Sequence, residues 1–192
     1  LERTWVDLCS LLRPDQVADA VVAGDALVNR PWADGTRLPP RTTASRLSAA
    51  LERAGRFKGV RVARAALALI RVGADSPPET RLRLALLDAG LPEPRLQARL
   101  VSPAGERTDA DMVVERSRVA LHYDGGHHRT PEQQRRDARR DRLWQEAGHL
   151  SITVMGADLA EDFRTVVAAV VRHDRAARAA STSGPAPQNF RT

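Results

Sequence analysis

The most constraining feature of this chain is a pair of short apolar segments, residues 111–114 and 118–121, joined by a polar connection. The segments read DMVV and RVAL, and their β-branched content predicts two adjacent antiparallel strands of a hairpin. A turn at residues 116–117 fixes the register, and the same register sets Asp111 directly opposite His122. The Cβ atoms of such a cross-strand pair lie about 4.5 to 5.5 Å apart. A carboxylate and an imidazole are therefore expected side by side on a sheet.

The next ionisable residue along the second strand joins this pair. Side chains alternate in direction along a strand, so Asp124 is predicted to share the face of His122 and Asp111. Three ionisable groups on one patch are costly, because like charges repel and burial penalises charge. A divalent cation removes that cost, which makes a metal site one interpretation. The alternative is a register shifted by one residue, which leaves Asp111 at an exposed strand edge.

Composition limits the class of protein and its partners. The 192 residues, 42% of them hydrophobic, suffice for one substantial core with an appended region. The net charge of +6 makes polyanions the first partners to consider, although a genomic preference for arginine codons would give part of the same excess, since Lys58 is the only lysine. The single Cys9 excludes an intramolecular disulfide and a cysteine-based zinc site. No stretch is apolar enough for a membrane span, so a cytoplasmic protein is expected.

The spacing of apolar residues predicts three regions. Residues 1–72 show helical spacing and predict a small all-helical region, with a loop rich in Pro and Gly at 31–40. Residues 73–173 predict an α/β domain in the order helix, three strands, helix, strand, helix. Residues 174–192 are rich in Ala, Ser, Gly, Pro and Arg, lack a core pattern, and predict a disordered tail.

Local signals define the elements of the α/β domain. Ser76, two prolines and Glu79 match a capping box at a helix start, which gives Glu79 a structural reason to be there. Alternating apolar residues predict strands at 94–101 and 150–155, and a last helix is predicted at 160–173.

A long helix is predicted from Thr130 to about Ala147. On a helical projection, Gln133, Asp137 and Arg140 lie on the same stripe as Trp144, which must pack against the sheet. An inward polar end of this kind is typical of a helix beside an active site. The alternative is an ordinary ion pair between Asp137 and Arg140, three residues apart.

The other side of this helix is basic. Arg135, Arg139 and Arg142 fall together on it. Three guanidinium groups in a row suit a phosphate backbone, and they are equally suited to a solvent-facing surface.

Taken in this order, the elements and their carboxylates resemble the core of the PD-(D/E)XK nuclease superfamily. The segments SPPETRLRLALLDAGLPEPRLQ, DADMVV, VALHYDGGHH and QQRRDARRDRLWQEAG are similar, more specifically, to actinobacterial domains akin to the very-short-patch repair endonucleases. The segments WVDLCSLL and VVAGDALV resemble the helical region that precedes such domains, which in some is antitoxin-like. The resemblance implies a restriction-endonuclease-like core: a helix, a three-stranded antiparallel meander, a helix, a strand and a helix, with a mixed central sheet.

The resemblance also implies site residues. Asp111 takes the position of the family's metal-binding Asp, Glu79 that of its helix acid, and the run 123–125 that of its YDG turn. Glu79 would then anchor a metal-bound water or a second ion. His127 or His128 would act as general base or steady the leaving group, the alternative being loop residues that bond the backbone.

His122 is the main departure from the family pattern, because these domains usually have Glu there; Thr153 is a smaller one, since relatives often carry Arg. Loss of a carboxylate lowers the affinity for Mg²⁺, and an imidazole ligand shifts the preference toward Mn²⁺. The very-short-patch repair enzymes themselves use a main-chain carbonyl at the equivalent place, which here belongs to Tyr123.

The function expected from this resemblance is hydrolysis of DNA phosphodiester bonds, in DNA repair or defence, with Mg²⁺ or Mn²⁺ as cofactor. The metal ligands would come from Asp111, His122, Tyr123 and Glu79, with Asp124 and His128 as further catalytic residues. The alternatives are a catalytically inactive DNA-binding or antitoxin-type module and a protein-interaction scaffold. DNA is the expected partner, and a homodimer would serve to cut both strands. The residues predicted to contact DNA are His127, Gln133, Arg135, Arg136, Arg139, Arg140 and Arg142.

Overall fold

A computed structural model describes residues 1–33, 35–125 and 130–182. The chain is mixed α/β and divides into two compact units, one of residues Leu1–Leu84 and one that begins at Ala85. No helix within the described ranges is long and apolar enough to cross a membrane.

The first unit is helical, as the apolar spacing predicted, except for one very short hairpin in the Pro- and Gly-rich loop. Its core is built around Trp5, whose side chain is 1% exposed and whose indole N–H donates to the carbonyl of Ala20 at 2.9 Å. The elements are α1 (Glu2–Leu11), α2 (Val17–Val28), β1 (Trp32–Ala33), β2 (Thr36–Arg37), α3 (Ala44–Ala54), α4 (Val60–Leu69) and the first part of α5 (Pro77–Asp88).

A buried ion pair explains why α5 contributes to the first unit, whereas the sequence places the boundary at residue 72. The carboxylate of Asp25, on α2, accepts from the Thr80 hydroxyl at 2.9 Å and from the Arg83 guanidinium at 3.0 Å. Asp25 and Arg83 are 1% and 0% exposed. The division between the units therefore falls inside α5, after the residues that bond Asp25.

The second unit contains a mixed four-stranded sheet. Its strands lie in the order β3, β4, β5, β6; the first three form an antiparallel meander, and β6 runs parallel to β5. This arrangement confirms the predicted mixed sheet and meander. The elements are β3 (Arg95–Val101), β4 (Arg107–Val114), β5 (Val119–Asp124), α6 (Pro131–Glu146), β6 (Leu150–Met155), α7 (Gly156–Ala160) and α8 (Arg164–Thr182).

The hairpin of β4 and β5 has the predicted register. Met112 pairs with Leu121 and Val114 with Val119. The connection is longer than the predicted two-residue turn, because a 3₁₀ turn at Glu115–Ser117 is followed by Arg118 in the left-handed region at φ 51°. The added residues lie symmetrically, so the register is unchanged.

Both faces of the sheet centre are covered. Val113 and Ala120 pack with Trp144 of α6. Met112 and Leu121, which alternation points the other way, are also 0% exposed. The sheet is therefore a central layer, covered on one face by α6 at Val113 and Ala120.

The predicted tail is wrong at its start, because α8 continues to Thr182. Asp174, 3% exposed, receives two hydrogen bonds from the Arg116 guanidinium at 2.8 and 2.9 Å and one from Arg178. The two bonds from Arg116 attach α8 to the turn between β4 and β5. Residues 183–192 lie outside the described part of the chain.

Candidate functional site

The site is centred on Asp111, at the point where β4 and β5 separate. The regular pairs between these strands end at Met112 and Leu121, and one further step of the register sets Asp111 opposite His122. The Asp111 carboxylate accepts a hydrogen bond from the backbone N–H of Tyr123 at 2.7 Å. That N–H would bond a β4 carbonyl if the ladder continued. The Asp111 side chain therefore takes the place of backbone pairing where the strands diverge.

The β3–β4 ladder is irregular at the same place. The register partners pass from Leu96–Met112 to Ala98–Ala110, and Gln97 between them has φ 48°. Positive φ is uncommon for a residue other than glycine. Asp111 thus lies at an irregularity on both of its neighbouring strands, and alternation of β4 residues alone does not indicate this.

His122 lies on the α6 face of the sheet and is 3% exposed. Its ring centroid is 6.3 Å from that of Trp144. Burial, and secondarily the charge of Arg140, lower the pKa of His122 to about 4, and the opposing effect of Asp141 is smaller. The imidazole is therefore neutral at physiological pH. Its Nε2 atom is buried and has no hydrogen-bond partner among the described residues.

A polar network on α6 borders the imidazole. His122 Nε2 lies 4.0 Å from Asp141 Oδ1, which is too far for a hydrogen bond. Asp141 Oδ1 accepts from the hydroxyl of Ser151 at 2.9 Å and from two guanidinium nitrogens of Arg140 at 3.2 and 3.3 Å. Arg140 also donates to Asp137 at 3.1 Å. The predicted Asp137–Arg140 ion pair is thus present, and it belongs to a larger network.

Ser151 is a residue of this network that the sequence did not indicate. It lies on β6 and is paired in parallel with Ala120 of β5. Its only signal was its place in an alternating strand, which predicts a face but no partner.

The predicted convergence of three ionisable groups is not present as a metal cluster. Within residues 1–33, 35–125 and 130–182, no group of three or more His, Cys, Asp and Glu side chains could hold a metal ion. Asp111, Tyr123 and Asp124 are partly exposed, whereas His122 is enclosed. The physical reason is that the Asp111 carboxylate bonds the Tyr123 backbone while the His122 imidazole packs toward Trp144. His127 and His128 lie outside the described residues.

Glu79 has the structural role that its capping box predicted. Its carboxylate accepts from the Ser76 hydroxyl at 2.7 Å and from the Asp75 backbone N–H at 2.9 Å. It is 6% exposed and lies in the first unit. These bonds account for the residue without a metal.

The exposure of the side chains on α6 differs from the prediction at Gln133. Gln133, expected to face inward, is exposed, as are all the residues at 131–136, and burial on this helix begins only at Asp137. Asp137 and Arg140 are half-buried, as expected. The exposed arginines are Arg135, Arg136, Arg139 and Arg142.

This chain is similar to two proteins from strains of Mycobacterium tuberculosis. Uncharacterized protein Rv2248 and Uncharacterized protein MT2308 are each 31% identical to it over 131 residues. The match covers 67% of this chain and 48% of each relative, so the chain spans about half the length of the curated relatives it matches. No family model matches, and no solved structure matches. The names of these relatives assign no chemistry, so the residues of the site carry the functional proposal.

Proposed function

We propose that the second unit is a nuclease-type domain of the PD-(D/E)XK class that hydrolyses DNA phosphodiester bonds with a divalent cation, Mg²⁺ or Mn²⁺. The observation that carries the proposal is the position of Asp111: a partly exposed carboxylate opposite a histidine, where two strands separate. The mixed sheet, the meander and the arginines of α6 agree with it.

The donor set fits such a cation in part. Asp111 and Asp124 supply the carboxylate oxygens that Mg²⁺ and Mn²⁺ prefer. The His122 Nε2 atom is a neutral nitrogen, but it is enclosed beside Trp144 and does not join these two carboxylates in a metal-binding group among the described residues.

The residues that would hold the cation are Asp111 and Asp124, with the Tyr123 carbonyl completing the set. The cation would polarise the scissile phosphate and lower the pKa of the attacking water. The hydrogen bond from the Tyr123 N–H orients the Asp111 carboxylate before anything binds. Glu79 is left out of this set, because its cap bonds already use its carboxylate.

Plasmid nicking tests this proposal. We expect the wild-type chain to nick supercoiled DNA in Mn²⁺, and Asp111→Asn, which removes the charge but keeps the shape, to abolish nicking. The matched control is Asp109→Asn, two residues away on β4, whose exposed carboxylate pairs with Arg99 at 2.8 Å. Nicking that persists undiminished in Asp111→Asn would exclude Asp111 as the metal-binding residue.

A second candidate is a DNA-binding or antitoxin-type module without catalysis. It is favoured by the enclosure of His122, which replaces a carboxylate by a neutral ring at 3% exposure. This candidate predicts salt-sensitive DNA binding, no cleavage in either metal, and no gain on His122→Glu. Cleavage that appears in His122→Glu would instead show that the nuclease site lacks one ligand.

A further inference from the structure

A basic groove lies between the β3–β4 turn and α6 in the second unit. It has a volume of about 350 Å³. Glu106, Arg107 and Thr108 form one wall, and Leu143, 8% exposed, lies in the groove. The other wall is α6, which contributes Arg136, Arg139 and Arg140. The β3–β4 wall was not indicated by the helix pattern, since it comes from a different part of the chain.

The turn holds this wall in place. The Ser102 N–H donates to the Glu106 carbonyl at 2.8 Å, and the Ser102 hydroxyl accepts from the Glu106 N–H at 3.1 Å. Arg107 then begins β4, paired with Val101. The backbone that carries Glu106 and Arg107 is therefore fixed on both sides, which favours a preformed surface.

The groove has an excess of positive charge. Of its four guanidinium groups, that of Arg140 is bonded to Asp137 and Asp141, whereas Arg107 and Arg136 are exposed on opposite walls. Guanidinium groups bind phosphate oxygens through two parallel hydrogen bonds. Two facing walls with exposed arginines suit a phosphodiester backbone that runs between them.

One acidic residue occupies the groove. Glu106 accepts from Arg139 at 2.6 and 3.3 Å, and these bonds lower the pKa of Glu106 and raise that of Arg139. A carboxylate on a guanidinium fork occupies the donors that a phosphate would use. Glu106 is also partly exposed, at 39%, so a phosphate can displace it without opening the core.

We propose that this groove binds the phosphate backbone of duplex DNA, and that the phosphate displaces Glu106 from Arg139. The inference rests on the proposed function for the identity of the polyanion. It adds Arg107 to the DNA contacts and makes Glu106 a built-in competitor that lowers affinity. Arg140 is removed from those contacts, because two carboxylates already hold it.

Binding of a fluorescent DNA duplex, measured by anisotropy in EDTA over a series of salt concentrations, tests the groove without cleavage. We expect Glu106→Gln to tighten binding about three- to tenfold, because Arg139 is released for phosphate. Arg107→Ala should weaken binding by a similar factor and reduce the slope of log affinity against log salt by about 1. Unfolding cannot produce the tighter binding expected for Glu106→Gln.

The Arg99–Asp109 pair is a matched control on the same strands. Its side chains are 64% and 52% exposed, against 65% and 39% for Arg139 and Glu106, and it does not line the groove. Asp109→Asn and Arg99→Ala change the net charge by the same amounts as the groove variants, and each should alter affinity less than about twofold. Equal effects of groove and control variants would overturn the proposal, since net charge alone would explain them.

The proposal of a DNA-binding groove and the proposal of hydrolase activity can be refuted independently. DNA that is bound with the expected variant responses but never nicked would support the groove and remove the hydrolase. Nicking that depends on Asp111, with no response to the groove variants, would remove the groove and keep the hydrolase. Absence of duplex binding by the wild-type chain would overturn the groove.

Discussion

Disruption of the buried ion pair in the first unit is predicted to lower the stability of the fold. Replacing Arg83 by Met removes a guanidinium that is 0% exposed and bonds both Asp25 and the Leu69 carbonyl, at 3.0 and 2.8 Å. Asp25 would still accept hydrogen bonds from the Arg71 backbone N–H at 2.7 Å and from the Thr80 hydroxyl at 2.9 Å. Its buried negative charge, however, would lose its counterion. Removing one partner of a buried pair costs about 3 to 5 kcal/mol. We expect a loss of that size in the free energy of unfolding of Arg83→Met, measured by urea denaturation.

Arg81→Met is the matched control for this prediction, because it lies on the same helix and its pair with Asp19 is exposed, at 43% and 36%. An exposed pair contributes about 0.2 to 1 kcal/mol, so the control should lose no more than that. The double variant Asp25→Asn with Arg83→Met removes both charges and should lose less than the sum of the two single variants. A cost below about 1 kcal/mol for Arg83→Met would refute the reasoning.

The pH dependence gives this prediction a second test. Burial raises the pKa of Asp25, and removal of Arg83 raises it further. A carboxyl whose folded pKa is raised takes up a proton more readily in the folded state, so its charge destabilises the fold as pH rises through that pKa. The stability lost in Arg83→Met should therefore be smaller in mildly acidic buffer than at neutral pH.

Two further predictions concern single residues of the two units. The pKa of His122 falls from 6.5 to about 4 on folding, so the unfolded state takes up the proton first as the pH falls. The stability that this neutral imidazole gives the fold is therefore fully present above pH 6.5 and is lost as the pH falls toward 4. This loss in the free energy of unfolding is about 3 kcal/mol, and it should be absent in His122→Phe when both proteins are unfolded in urea at a series of pH values. The same dependence of unfolding free energy on pH in both proteins would contradict the prediction. Gly59 has φ 92°, and an added Cβ would lie 2.1 Å from the Cys9 carbonyl oxygen, whereas at Gly55, with φ 63°, nothing lies within 4 Å. We expect Gly59→Ala to lower the free energy of unfolding by more than about 3 kcal/mol and Gly55→Ala by about 1 to 2 kcal/mol, measured by thermal unfolding. Equal losses would show that α1 moves to make room for the added Cβ atom.

Short-range features were predictable from the sequence. The hairpin register followed from the polar connection, since a symmetric lengthening of the loop left Asp111 opposite His122. The cap of α5 followed from Ser76 and Glu79, three residues apart. Patterns of this kind involve neighbours in the chain, whose separation is fixed by strand or helix geometry.

The candidate site was predictable only as a set of positions. That Asp111 replaces backbone pairing depends on how far β4 separates from β5, and no local pattern sets that distance. The enclosure of His122 depends on Trp144, which is 22 positions away in the numbering and reaches it because α6 returns over the sheet. Exposure and pKa follow from such packing, so the residue types alone could not give them.

The sequence by itself determined the order of the sheet strands and of the helices α5 and α6, the hairpin register and the cap of α5, because spacing and capping chemistry act over a few residues. Tertiary structure alone decided which charges that are distant in the sequence are paired. Asp25 meets Arg83 across 58 positions, Glu106 meets Arg139 across 33, and Asp174 meets Arg116 across 58. A charged side chain accepts any partner of opposite sign that packing brings within reach, so these pairings follow from the folded arrangement of the helices and strands.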